Sequence, residues 1–412
     1  RGLTAFNALS WTRDELLELP QGWEGLQTVD GMALPKQASG ETCFAEVHLP
    51  ACGWVSFLPG IGASPQNTLK VSHSLLENDL VRVALNPCGE ITSIFDKVDQ
   101  CELTTGLCNQ LRMYQDIPSA FDAWDLDSMY RETPIELARD AEIEIIAEGP
   151  LFAGLIVKRM VNNSSLTQTI TLRRHARRVD FHTVIDWQER HKLLKVNFPV
   201  DTFAREALHE IQFGHLKRPT HRSRQIDEDR FEVPQQKWTA LVEGQRGFAI
   251  LNDGKYGVDV LDNSINLTLL KSALAPDMNA DRGRQEFTYA FYFWNAPLID
   301  SGLVQQGYAL NLPPRVCEGM QDTQSLFELD RPNIILETVK PAEDGSDKAI
   351  ILRLYEALGT KTRMYLVTGL PIQAAYQTNM LEEVLAPLEI SAGKLKLEFR
   401  PFEIKTLKLK IN

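Results

Sequence analysis

The sequence predicts an all-β chain of packed sandwiches, and three observations carry that prediction. Apolar and polar residues alternate with period two along most of the 412 residues. Clusters of Asn, Asp, Gly and Pro punctuate these runs at short intervals, as turns between strands require. Helical periodicity is confined to two short stretches, 131–139 and 374–386, and neither has a strong cap. Strands do not alternate with long helices, and there is no Gly-rich phosphate loop and no G-x-S-x-G elbow, which argues against the α/β nucleotide-binding and hydrolase folds.

Residues 1–60 hold short apolar bursts (Leu16-Leu17-Glu18-Leu19, Glu46-Val47-His48-Leu49, Trp54-Val55-Ser56-Phe57) separated by Pro20, Gly31, Gly40, Pro50 and Gly53, the pattern of a small β unit. Gly60-Ile61-Gly62-Ala63-Ser64-Pro65 has linker composition. Val81, Val83 and Leu85 then share one face of a strand, Asn86-Pro87-Cys88-Gly89 turns, and residues 91–95 return as its hairpin partner. Val179, Phe181, Thr183, Ile185 and Trp187 line the inner face of a further strand. Phe287-Thr288-Tyr289-Ala290-Phe291-Tyr292-Phe293-Trp294 is aromatic on both faces and should be central and covered on both sides. After Leu312-Pro313-Pro314, strands are expected at 349–355, 362–367, 395–399 and 404–411. Lys408 and Lys410 mark the last of these as an edge.

Composition narrows the function classes. Hydrophobic residues make up 43% of the chain, enough for two or three cored domains. Lys and Arg number 43 against 55 Asp and Glu, and the net charge of -12 repels phosphate backbones and anionic lipid. Nucleic acid and membrane are therefore not expected as partners, and no apolar run approaches the roughly 20 residues that span a bilayer. The six cysteines follow no metal or redox spacing, and a reduced, cytoplasmic chain accounts for them most simply. The chain starts at Arg1 inside a strand-like phrase, which suggests a piece of a longer protein.

Several constellations could carry chemistry. His209, His215 and His221 are six residues apart, a spacing that would place all three on one face of an extended strand and suggests a metal triad. Pro219 cannot lie inside a paired central strand, so a loop with ordinary histidine hydrogen bonds is the favoured reading. Beside it, Lys217, Arg218, His221, Arg222 and Arg224 form a basic patch that could hold a carboxylate or phosphate; ion pairs with Asp227, Glu228 and Asp229 are the blander account. Phe121-Asp122-Ala123-Trp124-Asp125-Leu126-Asp127 sets carboxylates around an indole, a composition that suits a sugar ring; otherwise Trp124 is core and the aspartates cap turns. A polar loop at 276–286 leads into the aromatic strand, and Asn252-Asp253-Gly254 reads as a hairpin turn.

Together these phrases resemble glycoside hydrolase family 38, the zinc-dependent α-mannosidases, in its cytosolic-type and bacterial branch. The resemblance rests on Phe6-Asn7-Ala8-Leu9-Ser10-Trp11, Glu77-Asn78-Asp79, residues 121–127, Leu194-Lys195-Val196-Asn197-Phe198-Pro199, residues 210–221, Leu251-Asn252-Asp253-Gly254-Lys255-Tyr256-Gly257, Glu286-Phe287-Thr288-Tyr289-Ala290 and Leu352-Arg353-Leu354-Tyr355-Glu356, in family order. The chain departs from the branch after His221, where Arg222-Ser223-Arg224-Gln225-Ile226-Asp227 replaces the usual Asn-Thr-Ser-Trp-Asp. It departs again at Gln285, where histidine is usual.

The resemblance covers only the family's C-terminal β portion. It implies a galactose mutarotase-like supersandwich flanked by smaller β-sandwiches, with domains at 1–62, 67–303 and 304–412. It also implies that zinc, nucleophile and acid/base lie in a catalytic β/α barrel that this sequence lacks, so no catalytic or metal-binding residue carries over and the chain alone is expected to be inactive. The implied role is the far wall of the sugar pocket of a retaining α-mannosidase, with Trp124, Asp125, Asp127, Asp281, Arg282 and Arg284 as candidate substrate contacts. The implied partners are the barrel and an α-mannoside or oligosaccharide, with a homo-oligomer also open. The alternatives are a free-standing carbohydrate-binding module and a mutarotase-like sugar epimerase, for which His182, His209, His215 and Glu286 are the candidate acid and base groups.

Overall fold

A computed structural model describes residues 2–345 and 348–411. The chain is all-β, and its strands fall into two compact units. Residues 66–210 and 216–297 form one; residues 1–65, 211–215 and 298–412 form the other.

The unit holding residues 66–210 is built on two facing sheets. A nine-stranded sheet runs in the order Ala141–Glu148, Phe152–Val161, Ser164–Arg173, Arg178–Trp187, Gly283–Asn295, Arg246–Asn252, Trp238–Glu243, Glu206–Ile211 and Gly214–Pro219. A six-stranded sheet orders Pro134–Ile135, Gln110–Gln115, Lys192–Pro199, Ser264–Lys271, Gly257–Leu261 and Val233–Pro234. Inward residues of both sheets meet in one core, where Phe198 of the smaller sheet stacks on Phe291 of the larger at 5.8 Å and meets Phe181 edge-on at 5.8 Å. The aromatic strand Gly283–Asn295 is central, as its two apolar faces require.

The same core buries one polar ring. Tyr289 Oη donates to Asn109 Oδ1 (2.6 Å), Asn109 Nδ2 donates to Gln168 Oε1 (2.7 Å), and Gln168 Nε2 donates to Thr183 Oγ1 and Tyr289 Oη, both at 2.9 Å. Each buried donor thus has a partner, which such a site needs to avoid a desolvation cost. The hairpin Val81–Leu85 and Ile91–Asp96 packs onto this core. Its turn needs Gly89, whose φ is +77° and where an added Cβ would lie 2.5 Å from Val157.

In the other unit, Leu3–Asn7 lies between Gly53–Pro59 and Arg315–Glu318, so the N-terminal sheet recruits a strand from far along the chain. Its core of Leu3, Ala5, Leu17, Val47, Leu49 and Phe57 is distinct from a second core centred on Leu352, Leu354, Met364, Leu397, Leu407 and Leu409. That second core lies between a four-stranded and a five-stranded sheet.

Two expectations are corrected. Residues 374–386 are not a helix, because Ile372–Thr378 pairs with Ile404–Ile411; in 131–139 only a single 3-10 turn, Tyr130–Glu132, is helical before Pro134–Ile135 pairs with Gln110–Gln115, so ladder hydrogen bonds override a weak helical pattern. The α-helices are instead Gln225–Asp229 and Leu303–Asn311. Ile404–Ile411 is central in its sheet and not an edge. Its lysines are accommodated on the outer face, Lys408 by Asp344 and Lys410 over the Tyr376 ring. The exposed edge is Val384–Leu388, which carries Pro387.

Candidate functional site

The stretch from His209 to His221 is a hairpin, Glu206–Ile211 and Gly214–Pro219, so the three histidines do not share one strand face. Pro219 ends the strand at the sheet's edge, where a missing N–H is tolerated. His209 is buried and bonds Thr239 Oγ1 through Nδ1 (3.0 Å), His215 bonds the Ala357 carbonyl (3.3 Å), and His221 bonds Ser223 Oγ (2.8 Å). Among the described residues no three His, Cys, Asp or Glu side chains lie together as a metal-ligand set.

Burial, with a further contribution from Arg218, pushes the His209 imidazole down to about 3. Its unfolded value is about 6.5, so between those limits the unfolded chain carries a proton that the folded chain lacks. Stability is therefore complete above pH ~6.5 and falls below it by about 1.4 kcal/mol per pH unit. Urea unfolding at pH 5, 6 and 7 should show this slope, and His209→Gln should reduce it by one proton; an unchanged slope would show that another group carries it.

The candidate sugar-facing loops are held by a different set of residues. The turn at 121–125 closes through Trp124 N and Asp125 N, both donating to the Phe121 carbonyl (2.7 and 2.9 Å). Trp124 is 76% exposed, so it is not core. Asp125 Oδ1 accepts from Leu126 N (2.9 Å) and Asp127 Oδ1 from Met129 N (3.0 Å), so both aspartates do cap turns. Asp122, inside the predicted phrase but not among the predicted contacts, is the anchor. Its Oδ2 accepts from Leu274 N (2.7 Å) and lies 3.0 Å from His191 Nε2. Burial alone would raise the Asp122 carboxyl, but the Leu274 amide and His191 hold it below its usual range. Asp116 supports the same corner by accepting from Asp127 N (3.1 Å) and pairing with Lys271.

The second loop is tied down separately. Arg282 donates to Gln188 Oε1 (3.0 Å) and Asn279 Oδ1 (3.3 Å), and Arg284 pairs with Glu286 at 2.5 Å. Partial burial pushes the Asp281 carboxyl up, against the pull of Lys255, whose ammonium lies 4.5 Å above the Phe287 ring. Among the described residues no hydrogen bond or ion pair links Trp124, Asp125 or Asp127 to Asp281, Arg282 or Arg284; the first loop is tied through Asp122 to Leu274, which precedes the second loop. A cavity of about 370 Å³ elsewhere in this unit, beside Arg112, Arg139 and Arg159, is lined by none of the six.

Next to the second loop, the outer face of the large sheet carries a polar strip that brings together His182 and Glu286, two of the expected acid and base candidates, which the sequence could not pair. His182 lies 3.4 Å from Glu286 and 3.3 Å from Thr288 Oγ1, and Thr288 N donates to Asp253 Oδ2 (2.9 Å). Register brings these groups together, with His182 opposite Thr288 and Asp186 opposite Arg284. The Asn252-Asp253-Gly254 turn contributes to the strip and is not a hairpin: Arg246–Asn252 belongs to the large sheet and Gly257–Leu261 to the small one. Asn252 Oδ1 closes the turn by accepting from Gly254 N (3.0 Å) and Lys255 N (2.7 Å).

Residues 76–279 match the glycosyl hydrolases family 38 C-terminal domain, and residues 333–407 match the family's C-terminal beta sandwich domain. The chain belongs to the C-terminal region of glycosyl hydrolase family 38. Alpha-mannosidase 2C1 of Homo sapiens is 35% identical over 428 residues, which cover 99% of this chain and 40% of that protein. Alpha-mannosidase G of Dictyostelium discoideum is 30% identical, covering 98% of this chain and 40% of its own length. The family 38 chain thus spans 40% of the length of these relatives. A crystal structure of an alpha-mannosidase from Enterococcus faecalis V583 shares the fold, with a TM-score of 0.77 at 16% identity over 100% of this chain and 56% of that one.

Proposed function

We propose that this family 38 region is the non-catalytic C-terminal β portion of a retaining, zinc-dependent α-mannosidase, and that its loops at 121–127 and 276–286 form the far wall of the sugar pocket against a catalytic β/α barrel. The observation that carries this reading is Trp124. A largely exposed indole on a turn anchored by Asp122, with Asp125 exposed beside it, presents an apolar plane to stack on a sugar ring and carboxylate oxygens to accept from its hydroxyls. Phe121, 73% exposed, and Met278, 64% exposed, add apolar surface for an adjoining domain to cover. The described residues offer no metal-ligand set, so they do not fit zinc. A cytoplasmic setting is part of the same proposal, supported by six free cysteines.

The isolated chain should not hydrolyse aryl α-mannosides, with or without added zinc. In the full-length enzyme that contains it, Trp124→Ala should raise KM about tenfold, in keeping with the loss of one stacking contact, and change kcat less. Turnover by the isolated chain, or an unchanged KM, would overturn the reading. The carbohydrate-binding alternative draws on the same exposed Trp124 and requires calorimetric heat with mannosides that Trp124→Ala abolishes. The epimerase alternative draws on the His182–Glu286 pair, and an anomerisation assay decides it.

A further inference from the structure

Two arginines beside His209 stand out in a chain of net charge -12. Among the described residues, Arg218 and Arg230 pair with no carboxylate, and Arg218 Nε is buried with no hydrogen-bond partner. Both line a small cavity together with His209, Asp227, Asp259 and the apolar Val233. His209 is buried, Arg218 half-buried and Arg230 exposed, so the cavity deepens from Arg230 towards His209.

The two carboxylates on its wall are already engaged. Arg224 holds Asp227 through two hydrogen bonds, at 3.0 and 2.8 Å. Asp259 is held by Arg131, by the Tyr130 hydroxyl at 3.1 Å and by Lys195 at 3.6 Å. Neither is free to neutralise the unpaired guanidinium groups, and the two guanidinium charges repel each other across the cavity. Burial, with that repulsion adding to it, holds Arg218 below its usual value. An unpaired buried guanidinium N–H is costly unless an anion accepts from it.

Size defines the ligand further. The cavity has about 30 Å³ of room, and a water needs roughly 10–15 Å³ by the same measure. Such a space admits one oxyanion group and excludes a sugar ring. Planar guanidinium forks match the oxygens of a tetrahedral oxyanion. The helix Gln225–Asp229, which Arg230 follows, overlaps the stretch at 222–227 where the sequence leaves the pattern of its branch.

We propose that Arg218 and Arg230 bind a phosphate group, as inorganic phosphate or as the end of a phosphate monoester, in the cavity they share with His209. The test is calorimetric titration of the purified chain with inorganic phosphate and, separately, with glycerol phosphate, at pH 7.5 and constant ionic strength. Saturable one-to-one binding is expected. Arg218→Met and Arg230→Met should each weaken it at least about tenfold, as loss of a charge-assisted contact implies, while Arg112→Met leaves it unchanged. Tighter binding of one titrant identifies the source of the phosphate. Arg230 is exposed, so its variant keeps the test valid even if Arg218→Met fails to fold. Absence of saturable binding for both titrants, or equal weakening by Arg112→Met, would overturn the proposal.

Discussion

Lys195→Met is expected to lower the stability of the unit holding residues 66–210 by about 3–5 kcal/mol, the cost of leaving a buried charge without its partner. The Lys195 side chain is 2% exposed; it pairs with Glu232, donates to Thr268 Oγ1 (2.9 Å) and lies 3.6 Å from Asp259 Oδ2. Burial alone would lower its pKa, but Glu232 and Asp259 outweigh burial and hold the ammonium above its ordinary range. Burial pushes the Glu232 carboxyl up, and Lys195 is the main group opposing it. Removing the ammonium therefore strands a desolvated carboxylate. Adding Glu232→Gln to the Lys195→Met variant should recover about 1–2 kcal/mol, because the unpaired charge is then gone. Urea unfolding of the two variants checks both steps, and a single-variant loss below about 1 kcal/mol would show that the cluster is solvated.

Glu356→Gln should destabilise the other unit by about 3 kcal/mol. The Glu356 side chain is fully buried and accepts from five N–H groups: Leu358 N (2.9 Å), Gly359 N (2.7 Å), Thr360 N (2.9 Å), Phe402 N (3.0 Å) and Asn333 Nδ2 (2.9 Å). A glutamine turns one accepting oxygen into a donor, which faces N–H groups and loses hydrogen bonds worth about 1.5–3 kcal/mol each to a charged acceptor. The Gly359 and Phe402 amides should then exchange hydrogen faster, a local readout that Lys195→Met should leave unchanged. Unaltered protection at both amides would mean that the loop is held by other contacts.

Glu356 also explains why the family likeness was legible. The phrases that carried the resemblance are largely structural locks. Asn7 accepts from Leu9 N and donates to the Trp11 and Pro50 carbonyls, and Asn78 bridges the Arg173 and Ala176 carbonyls while capping Val81. Asn252 closes the turn between the two sheets. Each of these side chains satisfies several backbone groups at once, so few substitutes serve and the local phrase is distinctive.

By itself the sequence determined the all-β class, the inward faces of most strands and the central position of the aromatic strand. Period-two alternation and turn chemistry are local, and burial on one face follows directly from them. Only the tertiary structure decided what covers each outward face. Lys195 alternates with Leu194 and Val196 as a solvent-facing lysine would, yet Tyr130 and Glu232, distant in sequence, close over it. The same holds for Lys408 in a central strand and for Arg218 and Arg230 beside His209. Pairing register and sheet order bring these charges together, and neither is encoded in the residues next to them.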